Sequence, residues 1–157
     1  MKTRFYIFNA AILCVGLTAC TDQYTICNQS KISNLNSSFR TISGTTAIGY
    51  TASLLSASDL TSGIVLFNQK PAISGISSNL SLLVDSTTYS IKVSATMQAD
   101  TFTVYYNRAK LNLSVECGEI DIFNINRIKT TNNSIDSITI ANAAVNNSFQ
   151  NNINIYF

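Results

Sequence analysis

The residues best able to do covalent chemistry in this sequence are its four cysteines, Cys14, Cys20, Cys27 and Cys117. Cys20 directly follows Leu17-Thr18-Ala19 at the end of an apolar run, which is the pattern of a bacterial lipobox. By analogy with lipoproteins that carry this pattern, the Cys20 thiol would be linked to diacylglycerol, and its amino group, freed by cleavage, to an acyl chain. Several acyl chains together anchor a protein stably, whereas a single chain does not. The pattern therefore predicts lipidation at Cys20, with the membrane as a partner.

The segment before Cys20 is organised like a secretory signal peptide. Lys2 and Arg4 give it a positive start, and residues 5–19 form an apolar run of 15 residues. A helix needs about 20 residues to span a bilayer, so this run is too short to span it comfortably. An N-terminal helix packed in the core and ordinary signal cleavage without lipidation are the alternatives.

These motifs divide the chain into a lipoprotein signal peptide at residues 1–19, expected to be helical, and one lipid-anchored domain at residues 20–157. Position 21 is threonine, and sorting rules of the enterobacterial type retain a lipoprotein in the inner membrane when this position is aspartate. Only Asp22 is acidic among the next residues, whereas lipoproteins exported to the cell surface often carry several acidic residues there. We therefore expect an outer-membrane location, with the domain on the periplasmic face rather than on the cell surface.

The two other cysteines of the domain, Cys27 and Cys117, are predicted to form a disulfide, because the compartment outside the cytoplasm is oxidising. The bond would close a loop of about 90 residues, worth roughly 4–5 kcal/mol on the chain-entropy model. It would clip an N-terminal strand onto the centre of the domain. Two separately buried thiols are one alternative. A metal or redox site is another, although the CxxC spacing typical of such sites does not occur.

The sequence contains no histidine, which removes the commonest general base and the commonest zinc ligand. Ser-His-Asp and Cys-His catalytic arrangements are thereby excluded, although a Ser-Lys pair is not. Glu116, Glu119 and Asp121 form the closest acidic cluster and make calcium an alternative, but they do not follow the acidic loop pattern of an EF-hand. Solvated polar faces of alternating strands also explain Glu116 and Asp121. We predict no catalytic residue, no metal and no cofactor; a hydrolase is the remaining enzymatic alternative.

Tyr50 and Tyr105 are candidate ligand-binding residues. In the alternating run around Tyr105, Val104 and Tyr106 share the apolar phase, which places Tyr105 on the opposite face of its strand. Together with Tyr50 it could form an aromatic platform for a sugar or a protein partner. The structural alternative is that Tyr105 packs against a cross-strand neighbour or faces a second sheet.

Composition and charge indicate a β-rich domain that does not bind nucleic acid. Charged residues make up 11% of the 157 residues and hydrophobic residues 46%, so Ser, Thr and Asn supply most of the polar surface. These residue types favour strands and turns over long surface helices. The net charge is +2, but Lys2 and Arg4 lie in the predicted signal peptide, which leaves eight scattered basic residues against eight acidic ones. A neutral domain has no field that gathers nucleic acid or anionic headgroups.

Period-two alternation of apolar and polar residues is clearest in the second half of the chain. It predicts three consecutive strands, Tyr89–Met97, Phe102–Tyr106 and Leu111–Cys117, joined by short turns at residues 98–100 and 108–110. Strands joined in this way form an antiparallel meander.

Further strands are predicted on both sides of this meander. Leu80, Leu82 and Val84 alternate before it. After it, Ile120 and Ile122 alternate before the phase shifts to Ile125 and Ile128, which a β-bulge or a turn of helix would explain. The shorter signals are Tyr24–Cys27, Phe39–Ile42, Ala47–Leu55, Gly63–Phe67, Ile138–Ile140 and Ile153–Phe157. Roughly seven to nine strands predict an all-β fold, an antiparallel β-sandwich that is immunoglobulin-like or related. No internal repeat is visible, so a β-solenoid is the weaker alternative.

Five runs of the sequence stand out: Leu80–Asp85, Thr88–Ile91, Thr101–Tyr106, Val115–Gly118 and Asn154–Phe157. Together they resemble a family of small Bacteroidota lipoproteins that is described only as a domain of unknown function. The most specific points of the resemblance are the Tyr-Tyr strand, the Cys-Gly pair and the closing Ile-Tyr-Phe. Members often have proline where this chain has Leu83. The resemblance implies a location and a single domain but no chemistry.

These observations predict a non-enzymatic, lipid-anchored cell-envelope protein with a structural or protein-interaction role. The alternative is a glycan- or ligand-binding accessory lipoprotein of an outer-membrane uptake system, in which Tyr50 and Tyr105 would contact the ligand. Ser86 and Ser137 each follow an aspartate, in the short pattern that Bacteroidota use for O-glycosylation. Besides the membrane, we expect an unidentified envelope protein or glycan as a partner.

Overall fold

The structure, a computed structural model, describes residues 27–157. The predicted signal peptide at residues 1–19, the predicted lipidation site Cys20 and most of the predicted strand Tyr24–Cys27 lie outside the described residues. Cys27 itself is described and belongs to no strand. The described residues contain no helix, and hence none that is long and apolar enough to cross a membrane.

Two β-sheets make up the fold of residues 27–157. In chain order the strands are β1 (Asn34–Ser43), β2 (Thr46–Gly49), β3 (Leu55–Asp59), β4 (Ile64–Lys70), β5 (Ser77–Asn79), β6 (Ser86–Lys92), β7 (Asp100–Ser114), β8 (Gly118–Thr130), β9 (Ser137–Ile140), β10 (Ala144–Val145) and β11 (Ile153–Tyr156). One sheet has the order β2-β1-β11-β9, with β5 also paired to β1, and the other has the order β10-β8-β7-β6-β3-β4. The predicted all-β sandwich is confirmed. It has more strands than expected because β5 and β10 are too short to show an alternating pattern.

The core lies between the two sheets and is built from alternating positions. In β6 and in β7 as far as Tyr106 every second side chain is buried, so that Tyr89, Phe102 and Tyr106 face the core. The rings of Tyr89 and Phe102 stack with their centroids 5.1 Å apart, and those of Tyr106 and Phe123 meet edge to face at 5.2 Å. The five-stranded sheet contributes Phe39 from β1. Aromatic pairs of this kind add about 0.5–1.5 kcal/mol each beyond the burial of their area.

The pairing of β1 with β11 is parallel, whereas the other strand pairs of the described sheets are antiparallel. Ser37 lies opposite Ile153, and Arg40 lies opposite Tyr156. Strands joined by a tight hairpin must run antiparallel. The strands β1 and β11 are separated by most of the chain, so no hairpin fixes their relative direction.

The predicted meander is right for its first two strands, which pair antiparallel as β6 and β7, but wrong at its second turn, because the second and third predicted strands are one strand. Residues 108–110 do not turn; they continue β7 as a single strand to Ser114 and pair with residues 121–123 of β8. Alternation is lost there because residues 107–112 are exposed on both faces of the strand, so polar residues occupy consecutive positions. The strand β6 also ends five residues before the predicted one.

A β-bulge accounts for part of the predicted phase shift in β8, the step from Ile125 to Ile128, whereas Ile122 to Ile125 pairs in regular register with β7. Tyr105 pairs with Arg127 and Tyr106 pairs with Ile125, which leaves Asn126 as the extra residue on β8. A bulge of this kind moves the following side chains to the other face of the strand. Phe123 and Ile125 before the bulge are buried, and Ile128 after it therefore also packs against the core.

A two-stranded ribbon extends β7 and β8 beyond both sheets. It consists of residues 109–114 and 118–122, which pair with each other. Neither segment pairs with any other strand of the described sheets. Val115, Glu116 and Cys117 form its tip. Gly118 has a φ of 72°, a left-handed conformation that glycine adopts without steric cost. Cys117, the second cysteine of the predicted pair, therefore lies at the tip of this ribbon.

The close approach of Gly75 to β1 gives a stability prediction. A Cβ atom at Gly75 would lie 2.1 Å from the backbone oxygen of Ser37, so the loop would have to move away from β1. We expect Gly75→Ala to lower the free energy of unfolding by about 2–3 kcal/mol. Gly49→Ala is the matched control, because a Cβ there meets nothing within 4 Å. Urea denaturation of both variants checks this, and equal midpoints would contradict the close approach.

Candidate functional site

The structure brings Cys27 and Cys117 together as predicted. Their sulfur atoms lie 2.01 Å apart, at disulfide distance, and their Cα atoms 4.9 Å apart, across a sequence separation of 90. Cys117 is buried, and Cys27 is half-buried. One expectation is corrected: Cys117 lies in the ribbon tip, beyond the end of β7, so the pair joins the N-terminal segment to the ribbon and not to the centre of the domain.

The segment from Cys27 to Ser33 runs beside the ribbon before β1 begins. The Ser30 carbonyl oxygen accepts a hydrogen bond of 3.0 Å from the side-chain amide of Asn147. Farther along, Lys31, Ile32 and Ser33 line an open groove whose other walls are residues 79–83 and the β8 residues Asp121 and Phe123. The entry of the chain into the domain, the ribbon and this groove therefore occupy one end of the sandwich, called here the ribbon end.

The segment Leu80–Asp85 is a loop at the ribbon end, and not the strand that its alternating residues predicted. Leu80 is buried, but Leu82, Leu83 and Val84 are exposed. The strand predicted from this alternation is wrong because only one of the apolar side chains in this segment reaches the core. We call this segment the 80–85 loop.

Buried polar contacts hold the 80–85 loop from the side of the core. The Tyr106 hydroxyl lies 2.9 Å from the carbonyl oxygen of Ser81 and 3.2 Å from that of Val84. The Thr87 hydroxyl lies 2.8 Å from the Tyr106 hydroxyl and accepts a hydrogen bond of 3.0 Å from the Ser81 amide. Burial raises the pKa of Tyr106, and its hydrogen bonds with Thr87 and Ser81 oppose this rise. The phenol therefore stays neutral and acts as a structural donor.

An ion pair holds the same loop from the side of the ribbon. The Nε atom of Arg108 lies 2.9 Å from an oxygen of Asp85, and its Nη1 atom donates to the Leu82 carbonyl. Farther along the ribbon, Lys110 Nζ lies 2.8 Å from an oxygen of Asp121. Both pairs are partly exposed, so each adds at most about 1 kcal/mol to stability. The Arg108–Asp85 pair fixes the loop to the ribbon, and the Lys110–Asp121 pair joins the two strands of the ribbon.

The two candidate ligand-binding tyrosines do not come together. Tyr50 follows β2, packs against the core, and its ring centroid lies 5.1 Å from that of Phe157. Tyr105 is half-buried on the outer face of the six-stranded sheet, where the Arg127 guanidinium lies 4.2 Å from its ring centroid. The two rings thus belong to different sheets and form no common platform. Ligand binding by either tyrosine alone stays a prediction.

The acidic residues near the ribbon tip are spread over two elements. Glu116 is exposed at the tip, Glu119 is exposed on β8, and Asp121 pairs with Lys110. Across residues 27–157 there is no group of three or more His, Cys, Asp or Glu side chains that could hold a metal ion. The calcium alternative therefore has no ligand set among these residues.

The two serines in glycosylation-like patterns differ in accessibility. Ser137 is exposed and is the first residue of β9, an edge strand of the five-stranded sheet. Ser86 is half-buried at the start of β6, where it pairs with Tyr105 of β7. Of the two, Ser137 offers the more open hydroxyl.

Asp100 is a buried charged residue whose role the sequence did not predict. Its carboxylate accepts hydrogen bonds from the Thr131 hydroxyl and from the amides of Asn133, Ser134 and Ile135, at 2.6–2.9 Å. Burial raises the pKa of this carboxyl, but these hydrogen bonds outweigh burial and lower it below its ordinary value. An aspartate at the start of a strand gives no signal for this role, because its partners lie more than 30 residues away along the chain.

Comparison with known proteins gives a family. A family model described as "Family of unknown function (DUF6452)" matches residues 54–157, about two-thirds of the 157 residues. The chain belongs to this family. No curated protein and no solved structure matches the chain. The prediction of a domain of unknown function is confirmed to this extent.

The DUF6452 match leaves out part of the observed sandwich. It covers β3 to β11 and Cys117, but β1, β2 and Cys27 lie before it. The strand β1 pairs with β2, β5 and β11. Residues before the match are therefore needed to complete the five-stranded sheet of this DUF6452 member.

Proposed function

We propose that this DUF6452 protein is a non-enzymatic, lipid-anchored domain of the bacterial cell envelope, with a structural or protein-interaction role. The anchor is Cys20, and the location is the outer membrane, with the domain on its periplasmic face. The family resemblance favours a Bacteroidota lipoprotein. The observation that carries the proposal is the disulfide between Cys27 and Cys117, which ties the domain to the chain just after the predicted anchor.

The position of this disulfide fits a short tether. Cys27 lies seven residues after Cys20, and a fully extended chain spans at most about 3.6 Å per residue, or roughly 25 Å over this distance. Because Cys27 is bonded to Cys117, the short tether also limits how far the ribbon tip can lie from Cys20. The disulfide also favours an oxidising compartment, where such bonds persist.

The ionisable groups with shifted pKa values support the structural role that we propose for the domain. Burial raises the pKa values of Tyr89 and Tyr106, and hydrogen bonds lower that of Asp100 despite its burial. The Tyr89 hydroxyl donates to the Asn79 carbonyl oxygen at 3.1 Å, and the other two groups hold the loops described above. Each of these groups is thus engaged in holding a loop or strand end.

Lipid labelling of the full chain tests the proposal. We expect the wild-type protein, made in a bacterium with a lipoprotein pathway, to incorporate a palmitate analogue and to fractionate with membranes. Cys20→Ala is expected to abolish the label, because the thiol that would carry the diacylglycerol is absent. Protease added to intact cells is expected to leave the domain uncut.

Cys14→Ala is the matched control for this experiment, because Cys14 lies in the predicted signal peptide and carries no lipid in the mature protein. The Cys14→Ala variant should keep its label and its membrane fraction. An unlabelled wild-type protein, or a label that survives Cys20→Ala, would refute the lipid anchor.

A further inference from the structure

The most exposed large apolar side chains of the described residues lie at the ribbon end. Val115 at the ribbon tip is 95% exposed and Leu83 in the 80–85 loop is 91% exposed. Other exposed apolar side chains reach at most 67%, at Val65, and 65%, at Ile42. Leu82 and Val84 add exposed apolar surface beside Leu83. Protruding apolar groups gathered at one end of a domain mark a surface that contacts another apolar phase.

Both protruding groups stand on fixed backbone. The 80–85 loop is held by the Tyr106 hydroxyl and by the Arg108 guanidinium. At the ribbon tip, the Cys117 amide donates to the Ser114 hydroxyl oxygen at 3.0 Å, and Cys117 is bonded to Cys27. The exposure of Leu83 and Val115 is therefore a property of ordered turns.

We propose that the 80–85 loop and the ribbon tip insert Leu83 and Val115 into the surface of a lipid bilayer. We choose a bilayer as the partner of this surface because of the short tether. The chain reaches this end of the domain from Cys20, and at most roughly 25 Å of extended chain separates Cys20 from Cys27, so the ribbon tip stays close to the lipid. The inference rests on the lipid anchor proposed above. It adds a second, noncovalent contact between the domain and the same leaflet.

The geometry specifies how the domain lies on the bilayer. Residues 109–114 span about 20 Å at the rise of a β-strand, and the 80–85 loop meets the ribbon at Arg108, near its base. Leu83 and Val115 can touch one bilayer only if the ribbon leans over the surface and does not stand upright on its tip. The ion pairs Arg108–Asp85 and Lys110–Asp121 compensate each other's charges near the base of the ribbon, and Glu119 near the tip is exposed and acidic, so neutral headgroups fit this surface better than anionic ones.

Tryptophan fluorescence tests this contact, because the chain contains no tryptophan. The full lipidated chain carrying L83W or V115W is reconstituted into phosphatidylcholine vesicles, with or without bromine on the acyl chains. Interfacial apolar groups sit roughly 5–10 Å into the headgroup and acyl boundary, so brominated lipid is expected to lower the emission of both variants about twofold.

I42W is the matched control, since Ile42 is also exposed but lies near the far end of β1, away from the ribbon end. We expect its emission to be the same in both kinds of vesicle. Quenching of all three variants, of neither L83W nor V115W, or of only one of these two would overturn the proposed surface.

The same samples separate this inference from the proposed function. The acyl mass on the Cys20 peptide is measured in each reconstituted variant. An acylated, vesicle-bound protein with unquenched L83W and V115W overturns the bilayer contact and leaves the anchor intact. A protein without acyl mass overturns the anchor and the bilayer contact together.

Discussion

Removal of the Cys27–Cys117 disulfide in the C27S/C117S variant is expected to lower the free energy of unfolding by about 4 kcal/mol. The bond closes a loop across a sequence separation of 90, and loop closure of this length is worth roughly 4–5 kcal/mol on the chain-entropy model. Residues 28–33 belong to no strand and regain some freedom in the folded variant, which reduces the loss slightly. Urea denaturation of the full chain gives the value.

Reductant provides the control for this prediction. Wild-type protein in reductant should unfold at the same urea concentration as C27S/C117S, and the variant itself should not respond to reductant. Wild-type and variant midpoints that coincide without reductant would show that the bond does not constrain the unfolded chain.

Replacement of Asp100 is expected to have the second-largest effect, a loss of about 3 kcal/mol for Asp100→Asn. The carboxylate accepts four hydrogen bonds in a buried position. An amide offers one acceptor oxygen and turns an NH₂ group towards backbone amides that are themselves donors, so about two hydrogen bonds are lost and donors are left unpaired. Thermal and urea unfolding measure the change.

The same residue predicts a dependence of stability on pH. Because the pKa of Asp100 is lower in the folded state than in the unfolded chain, its ionised form stabilises the fold fully above the unfolded pKa of about 3.9. This stabilisation is lost as the pH falls through the folded pKa. We expect wild-type stability to decline below about pH 4 more steeply than that of Asp100→Asn.

Asp136→Asn is the matched control for both measurements. Asp136 is exposed and directly follows Ile135, the last of the residues that donate hydrogen bonds to Asp100. Its stability should stay within about 0.5 kcal/mol of the wild type. A loss at Asp136→Asn as large as that at Asp100→Asn, or parallel acid profiles of wild type and Asp100→Asn, would contradict the role given to Asp100.

The sequence predicts the parts of the fold where one face of a strand is buried. Alternation around Tyr89 and Phe102 identifies β6 and the first half of β7, because side chains that alternate between core and solvent impose a period of two. The phase shift in β8 predicts the bulge for the same reason. The cysteine pair follows from counting, once Cys14 and Cys20 are assigned to the predicted signal peptide and anchor.

Sequence analysis missed the features that produce no alternation of buried and exposed residues along the chain. Residues 107–112 of β7 are exposed on both faces of the strand, so Arg108–Lys110 resembles a turn although it lies within a strand. In the 80–85 loop, Leu80, Leu82 and Val84 alternate by sequence, but only Leu80 is buried. The hydrogen bonds of Asp100 and the separation of Tyr50 from Tyr105 depend on which strands meet in space, which local periodicity does not encode.

The parallel pairing of β1 with β11 sets the order of events during biosynthesis. The Asn36 amide donates to the Asn152 side-chain oxygen at 3.0 Å, 116 positions later in the chain. A polypeptide synthesised N-terminus first therefore releases β1 long before its partner strand β11 has been made. The five-stranded sheet stays incomplete during that interval, and contacts between such distant residues form slowly.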